Sequence, residues 1–189
     1  FVASLRDGGS SPIEVYDQVS VLQADVAGFT PLAESISPEA IVELLNEITL
    51  VFDALCIEHG AEKIKTVGDA FIAAAGIPDA CTDHAERLIA LGTSMLTAIA
   101  ELRQRRAVAL DLRIGIATGP VVAGVVGKRK FSYEIWGPAA ALAEQLEAHG
   151  EPGVIHIAGT TRPPLATCVL DPLDPLELLG HRPVQRFAL

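Results

Sequence analysis

The segment Asp25-Val26-Ala27-Gly28-Phe29-Thr30 places a carboxylate, a glycine and a hydroxyl within six residues, directly after the apolar run 19–24. A carboxylate at the end of a strand can bind a hard divalent cation through its oxygens. The backbone N–H groups of the turn that follows, together with the hydroxyl of Thr30, can hold phosphate oxygens. A strand-to-helix turn with a capping aspartate accounts for the segment more simply. The segment alone therefore leaves both interpretations open.

A second carboxylate, Asp69, lies between two strand-like runs, 64–67 and 71–75. The pair Gly68-Asp69 is first of all a hairpin signal. If the strands of Asp25 and Asp69 pair, the two carboxylates become neighbours, which is unfavourable unless a cation lies between them. Two such carboxylates are what two-metal phosphoryl chemistry requires. Lys65, four residues before Asp69, is either a solvent-exposed side chain or part of the same site.

Arg113 interrupts the apolar strand pattern 110–118. An arginine in such a strand usually pairs with an acidic side chain, since unpaired buried charge is rare. Contact with a phosphate is the alternative, because guanidinium groups bind phosphate oxygens in a bidentate fashion.

The composition of the chain limits its fold and its partners. The 189 residues, 50% of them apolar, are enough for one core, and the dominance of Ala, Val, Leu and Ile over aromatic residues predicts a layered α/β domain. A net charge of −10 argues against nucleic acid as a partner. Cys56, Cys81 and Cys168 are scattered, which predicts reduced thiols and a cytoplasmic domain. No run is long enough to span a bilayer, so any membrane anchor would lie upstream of Phe1.

The order of apolar patterns and turn residues predicts alternating strands and helices. Residues 1–15 are interpreted as the end of an upstream linker and residues 16–189 as one domain. We expect a helix with Ser37 as N-cap that ends at Gly60, and a turn at Gly119-Pro120. The remaining predicted elements are strands over 19–24, 110–118, 121–126 and 131–137 and helices over 80–106 and from 138 to about 150.

Taken together, four segments resemble the catalytic domain of class III nucleotidyl cyclases, the adenylate and guanylate cyclases. They are Val21 to Thr30, Glu62 to Ala70, Arg113 to Gly127, and Tyr133-Glu134-Ile135-Trp136-Gly137. The resemblance continues through Glu147 to Ile155 and, weakly, to Phe187, so it covers nearly the whole chain. It implies a ferredoxin-like βαββαβ core with a mainly antiparallel sheet, working as a head-to-tail dimer with active sites at the interface.

The resemblance also implies roles for individual residues. Asp25 and Asp69, with the carbonyl of Val26, would bind two divalent cations, Mg²⁺ or Mn²⁺. The turn amides and Arg113 would bind the triphosphate, and Lys65 with Glu134 would read adenine, which favours ATP over GTP. The turn residues are Ala27, Gly28, Phe29 and Thr30.

The chain departs from the family pattern at several positions. The family carries an Asn and, four residues later, an Arg that orient the ribose and neutralise charge on the α-phosphate; here these positions are Ala141 and Gln145. Glu134 replaces an Asp, and His181 and Arg182 lie roughly where the family has a phosphate-binding Lys. Loss of one such donor typically lowers the rate by about 10²- to 10³-fold.

Three hypotheses follow from these departures. The first is an adenylate cyclase that is weak as a homodimer. The second is an inactive homologue that acts as a nucleotide-binding or dimerisation module. The third is a metal-binding half that pairs with a different cyclase chain supplying the Asn and the Arg.

Overall fold

The computed structural model describes residues 13–127, 131–161, 170–176 and 183–189. Within these ranges the chain forms eight strands and four helices. The strands are β1 (Ile13–Ala27), β2 (Glu62–Val67), β3 (Ala70–Ala75), β4 (Asp111–Val126), β5 (Ser132–Trp136), β6 (Val154–Ala158), β7 (Asp171–Leu176) and β8 (Val184–Ala188). The helices are α1 (Phe29–Ser35), α2 (Pro38–His59), α3 (His84–Arg106) and α4 (Pro138–Ala148).

One mixed sheet runs through the molecule, with the order β2-β3-β1-β4-β6-β8-β7 and β5 paired to β4. All its strand pairs are antiparallel except β4 with β6, which are parallel. The two long strands β1 and β4 lie at the centre and pair directly, with Asp25 opposite Arg113. The mainly antiparallel sheet with packed helices confirms the predicted fold class.

Helices cover both faces of the sheet, because side chains alternate between the faces along each strand. On one face Leu22 and Ile114 pack with the apolar residues of α2 and α3. On the other face Val21 and Ala117 pack with the apolar side of α4. Odd-numbered residues of β4, and of β1 from Val19 onward, therefore face α4, and these include the predicted site residues Asp25 and Arg113.

Several predicted boundaries agree with the structure. The Oγ of Ser37 accepts a hydrogen bond from the N–H of Ala40 at 3.3 Å and caps α2, which ends before Gly60. Strands β2 and β3 flank Gly68-Asp69 as a hairpin. Helix α3 begins at His84, four residues later than predicted. Cys56 is buried and free, and burial raises the pKa of its thiol to about 12; Cys168 lies outside the described residues.

The predicted turn at Gly119-Pro120 is wrong, since β4 runs through both residues without a break. The physical reason lies in the partner strand. The register of β1 against β4 shifts between Tyr16 and Val19, so β1 bulges opposite Pro120. A proline lacks the N–H that a regular ladder would use, and a bulge removes the need for it.

The first strand and the region after it also differ from the prediction. Strand β1 begins at Ile13 rather than Val19, so residues 13–15, placed in the linker, are part of the sheet. A seven-residue helix, α1, separates Gly28 from the predicted helix and was missed. In the described ranges, none of the helices is long and apolar enough to cross a membrane.

Candidate active site

The segment after Asp25 is shaped by Gly28, which links the end of β1 to α1. Gly28 adopts φ 86°, and a Cβ there would lie 2.5 Å from the carbonyl oxygen of Ala109. Only glycine fits this conformation and this close approach. Ala27 is the last residue of β1, while Phe29 and Thr30 open α1, whose first N–H groups have no partner within the helix. Phe29 packs against the core with its side chain, and Thr30 is exposed.

Asp69 is close enough to Asp25 for their charges to interact. Strand β3 pairs antiparallel with β1, with Phe71 opposite Ala24, so the β2–β3 turn lies beside the end of β1. The pKa of the Asp69 carboxyl is raised by burial and next by the negative charge of Asp25. The structure therefore brings together the two carboxylates that the sequence suggested would be neighbours.

Arg113 lies directly across from Asp25 and forms an ion pair with it through Nη2. Its Nε lies 3.0 Å from Oε1 of Glu147 on α4. The expected salt bridge of a strand arginine is thus present, and Arg113 has two acidic partners. We call Asp25, Asp69 and Arg113 the carboxylate end of the site.

The second part of the site, which we call the lysine end, comprises Lys65, Glu134, Ala141 and Gln145. Lys65 on β2 forms an ion pair with Oε2 of Glu134 on β5, and Ser132 donates a hydrogen bond to the other carboxylate oxygen at 2.7 Å. The hydrogen bond from Lys65 lowers the pKa of Glu134 below its usual range, against the opposing effect of burial. The Lys65 side chain is therefore half-buried and fixed by its ion pair with Glu134.

A cavity of about 230 Å³ opens beside Lys65 and is walled by α4. Ala141 lines it and offers no polar side-chain atom, while Gln145, one turn later on α4, is half-buried. The cavity also contains polar side chains that the sequence did not single out, Gln23 and Glu144. A ligand with a polar, planar edge would meet one cationic and several neutral or acidic groups here.

The carboxylate end fits a hard divalent cation. Carboxylate and backbone carbonyl oxygens are the ligands that Mg²⁺ prefers, and it commonly uses one or two carboxylates together with substrate phosphates. The negative charge of Asp25 raises the pKa of Asp69, and a cation between the two carboxylates would relieve this effect. No group of three or more His, Cys, Asp or Glu side chains occurs at metal-binding distance within the described ranges.

Two contacts of the predicted site residues were not anticipated from the sequence. Glu147 was not singled out as a site residue, and its exposure is only 6%. Ser132 gave no signal, because its role depends on the strand turning its hydroxyl toward Glu134 two residues later. Conversely, His181 and Arg182, suggested as phosphate ligands, lie outside the described residues.

Comparison with known proteins adds an independent result. A family model described as the adenylate and guanylate cyclase catalytic domain matches residues 11–189. An adenylate cyclase from Mycobacterium tuberculosis is 42% identical over 142 residues, which are 75% of this chain and 32% of that protein. The matched part therefore spans about a third of this curated relative.

Two solved structures share the fold over nearly their whole length. The adenylyl cyclase CyaB from P. aeruginosa superimposes with a TM-score of 0.87 and 28% identity, covering 94% of this chain and 95% of that one. The guanylate cyclase domain of RhGC from Catenaria anguillulae, solved in complex with GTP, has a TM-score of 0.88 and 28% identity, with coverage of 93% and 97%.

Proposed function

The chain belongs to the family of adenylate and guanylate cyclase catalytic domains, and we propose that it converts ATP to cyclic AMP and pyrophosphate with low turnover as a homodimer. The low turnover is attributed to Ala141 and Gln145. The reaction would serve cyclic-nucleotide signalling, in a domain that we place in the cytoplasm.

The observation that carries the preference for ATP is the ion pair between Lys65 and Glu134 beside the cavity. Adenine presents an acceptor at N1 and a donor at its exocyclic amine. A lysine supplies only donors, and an ionised glutamate supplies only acceptors. The pair therefore complements adenine, whereas guanine presents an N–H at N1 that would face the Lys65 ammonium.

The chain's own residues account for the phosphate side of the reaction. Asp25, Asp69 and the carbonyl of Val26 would hold two divalent cations, Mg²⁺ or Mn²⁺. Bound there, such cations supply activation of the attacking ribose hydroxyl and neutralisation of charge on the phosphates. The amides of Phe29 and Thr30, after the Gly28 turn, would bind triphosphate oxygens, and Arg113 would add its guanidinium to them.

The assembly in this proposal is a head-to-tail dimer, in which the carboxylate end of one protomer meets the lysine end of the other. The large apolar side chains of Val126, Phe131 and Trp136 are exposed at and near β5, next to the lysine end. Exposed apolar residues that cluster around a ligand site favour a protein contact there. No nucleic acid is expected as a partner.

Low turnover follows from the residues on α4. Ala141 cannot orient the ribose, and Gln145 can donate a hydrogen bond but carries no charge toward the α-phosphate. The same observation favours the alternative function, an inactive nucleotide-binding or dimerisation module, or a metal-binding half for another cyclase chain that provides the Asn and the Arg.

The test measures Mn²⁺–ATP binding by calorimetry and cyclic AMP formation by the purified chain, with Asp25→Asn as the matched variant. We expect binding and slow turnover by the wild type, and loss of both metal-dependent signals in Asp25→Asn. Binding without any turnover would support the alternative function. Absence of metal-dependent nucleotide binding in the wild type would contradict both the cyclase activity and a nucleotide-binding module.

A further inference from the structure

Glu147 is a buried carboxylate that the proposed reaction does not use. It lies near the end of α4, and 6% of its surface is exposed. Burial raises the pKa of its carboxyl, and the charge of Asp25 adds to this effect. A carboxylate is not kept in such a place without a compensating partner, since burying a charge is unfavourable unless the charge is paired. Its partner is Arg113, which also belongs to the carboxylate end.

The guanidinium of Arg113 lies between two carboxylates and uses a different nitrogen toward each. Nη2 pairs with Asp25, whose side chain is 20% exposed, and Nε lies 3.0 Å from Oε1 of Glu147, whose side chain is 8% exposed. The planar guanidinium presents these N–H groups in a fixed fork, so it can engage both acids at once. Asp25 is thus the partner at the open side of the site, and Glu147 is the partner at its base.

The contact with Glu147 has the distance of an ion pair but not the alignment of a hydrogen bond. Within the described residues, Nε of Arg113 and Oε1 of Glu147 are both buried without a hydrogen-bond partner. In this orientation Nη2 is paired with Asp25 while Nε is close to Glu147 without being aligned with it. Release of Arg113 by Asp25 would let the guanidinium align with Glu147.

The position of Glu147 is fixed by close packing of α4 on β4. Gly115 lies two residues after Arg113 on β4, and a Cβ there would lie 2.5 Å from the backbone nitrogen of Glu147. Helix and strand are therefore in direct backbone contact at this point. Glu147 is held by the fold, whereas Asp25 lies at the end of a strand beside an open turn.

We propose that Glu147 is a positioning residue that anchors Nε of Arg113, so that the Nη groups can pass from Asp25 to the nucleotide phosphates when Asp25 binds a cation. This inference rests on the proposed function. Anchoring one edge of the guanidinium reduces the rotamer entropy that would otherwise be lost on binding phosphate. Without Glu147, Arg113 would keep its ion pair with Asp25, and Asp25 competes with the nucleotide phosphates for the same guanidinium.

The experiment compares Glu147→Ala and Glu147→Gln with Glu58→Gln, an exposed glutamate on α2 that serves as the matched control. Affinity is measured for Mg²⁺–ATP and for adenosine, which has the base and ribose but no phosphate. The Nε–H signal of Arg113 is followed by ¹⁵N NMR and assigned by its absence in Arg113→Lys. Thermal unfolding of each variant is recorded alongside.

In the wild type we expect the Arg113 Nε–H to exchange slowly with water, both free and with Mg²⁺–ATP. Glu147→Ala should accelerate this exchange and weaken Mg²⁺–ATP about tenfold, the effect of one charge-assisted hydrogen bond, while adenosine affinity stays within about twofold. Glu147→Gln, which keeps an acceptor, should have an exchange rate and an Mg²⁺–ATP affinity between those of the wild type and Glu147→Ala. Glu58→Gln should match the wild type in both.

Distinct outcomes separate a failure of the inference from a failure of the proposed function. Wild-type binding of Mg²⁺–ATP with an unchanged affinity in Glu147→Ala would overturn the inference alone. Equal loss of ATP and adenosine affinity, in step with a lower unfolding temperature, would show a merely structural role and would also overturn it. No Mg²⁺–ATP binding by the wild type would overturn the proposed function and the positioning role with it.

Discussion

Replacement of Gly115 by alanine should push α4 away from β4 and thereby destabilise the protein and displace the site residues on α4. A Cβ at Gly115 would lie 2.1 Å from the carbonyl oxygen of Ala143 and 2.9 Å from Cβ of Leu146. Since such contacts are essentially never shorter than 3.0 Å, helix and strand must move apart by about 0.9 Å at this point. Overpacking of this kind typically destabilises a protein by about 1–3 kcal/mol. The free energy of unfolding, from urea titration at equilibrium, measures this cost.

The matched control is Gly119→Ala on the same strand, where a Cβ would lie 3.7 Å from Cβ of Ala139, an ordinary contact. Its free energy of unfolding should differ from the wild type by no more than about 0.5 kcal/mol. The same displacement should lengthen the 3.0 Å contact between Arg113 and Glu147, and so lower Mg²⁺–ATP affinity in Gly115→Ala only. A Gly115→Ala protein as stable as Gly119→Ala would refute the account of how α4 is placed.

Three further predictions concern the two ends of the site and one helix cap. Asp69→Asn should raise the unfolding temperature of the metal-free protein at pH values above the folded pKa of Asp69 and abolish its stabilisation by Mg²⁺. The pKa of Asp69 is raised in the folded protein, so the protonated carboxyl contributes stability that is fully present below the unfolded pKa. This contribution is lost as the pH rises through the folded pKa, and the neutral Asn side chain does not lose it. Lys65→Glu should shift nucleotide preference toward GTP by at least about tenfold in competition binding, because an acceptor then faces the guanine donors. Ser37→Ala should lower the free energy of unfolding by about 1 kcal/mol, since α2 loses the 3.3 Å cap to the Ala40 N–H.

The fold was largely readable from the sequence because its signals are local. The cap at Ser37 and the Gly68-Asp69 hairpin specify boundaries through a few neighbouring residues. The continuity of β4 through Pro120 was not readable, because it depends on a bulge about a hundred residues earlier in β1. Proline by itself is typical of a turn, and Pro120 fits within β4 because β1 bulges opposite it.

The candidate site could be predicted from the sequence where its residues lie at strand ends and turns. Asp25 and Asp69 follow from the pairing of adjacent strands, and the structure brings them together. The partner of Arg113 was left open between an acidic side chain and a phosphate, and the structure shows Arg113 paired with Asp25. Glu147 could not be identified, because its burial results from the close contact of α4 with Gly115. No periodic pattern in the sequence predicts that contact.

In the proposed function the chain binds Mn²⁺–ATP competently, and its turnover is limited by the two α4 residues Ala141 and Gln145. The direct measurement is cyclic AMP formation from Mn²⁺–ATP by the wild type and by the double variant Ala141→Asn/Gln145→Arg. We predict slow turnover by the wild type and an increase of about 10²-fold or more in the double variant. Nucleotide affinities should stay within about tenfold of each other. An unchanged rate in a double variant that still folds and binds Mn²⁺–ATP would contradict the claim.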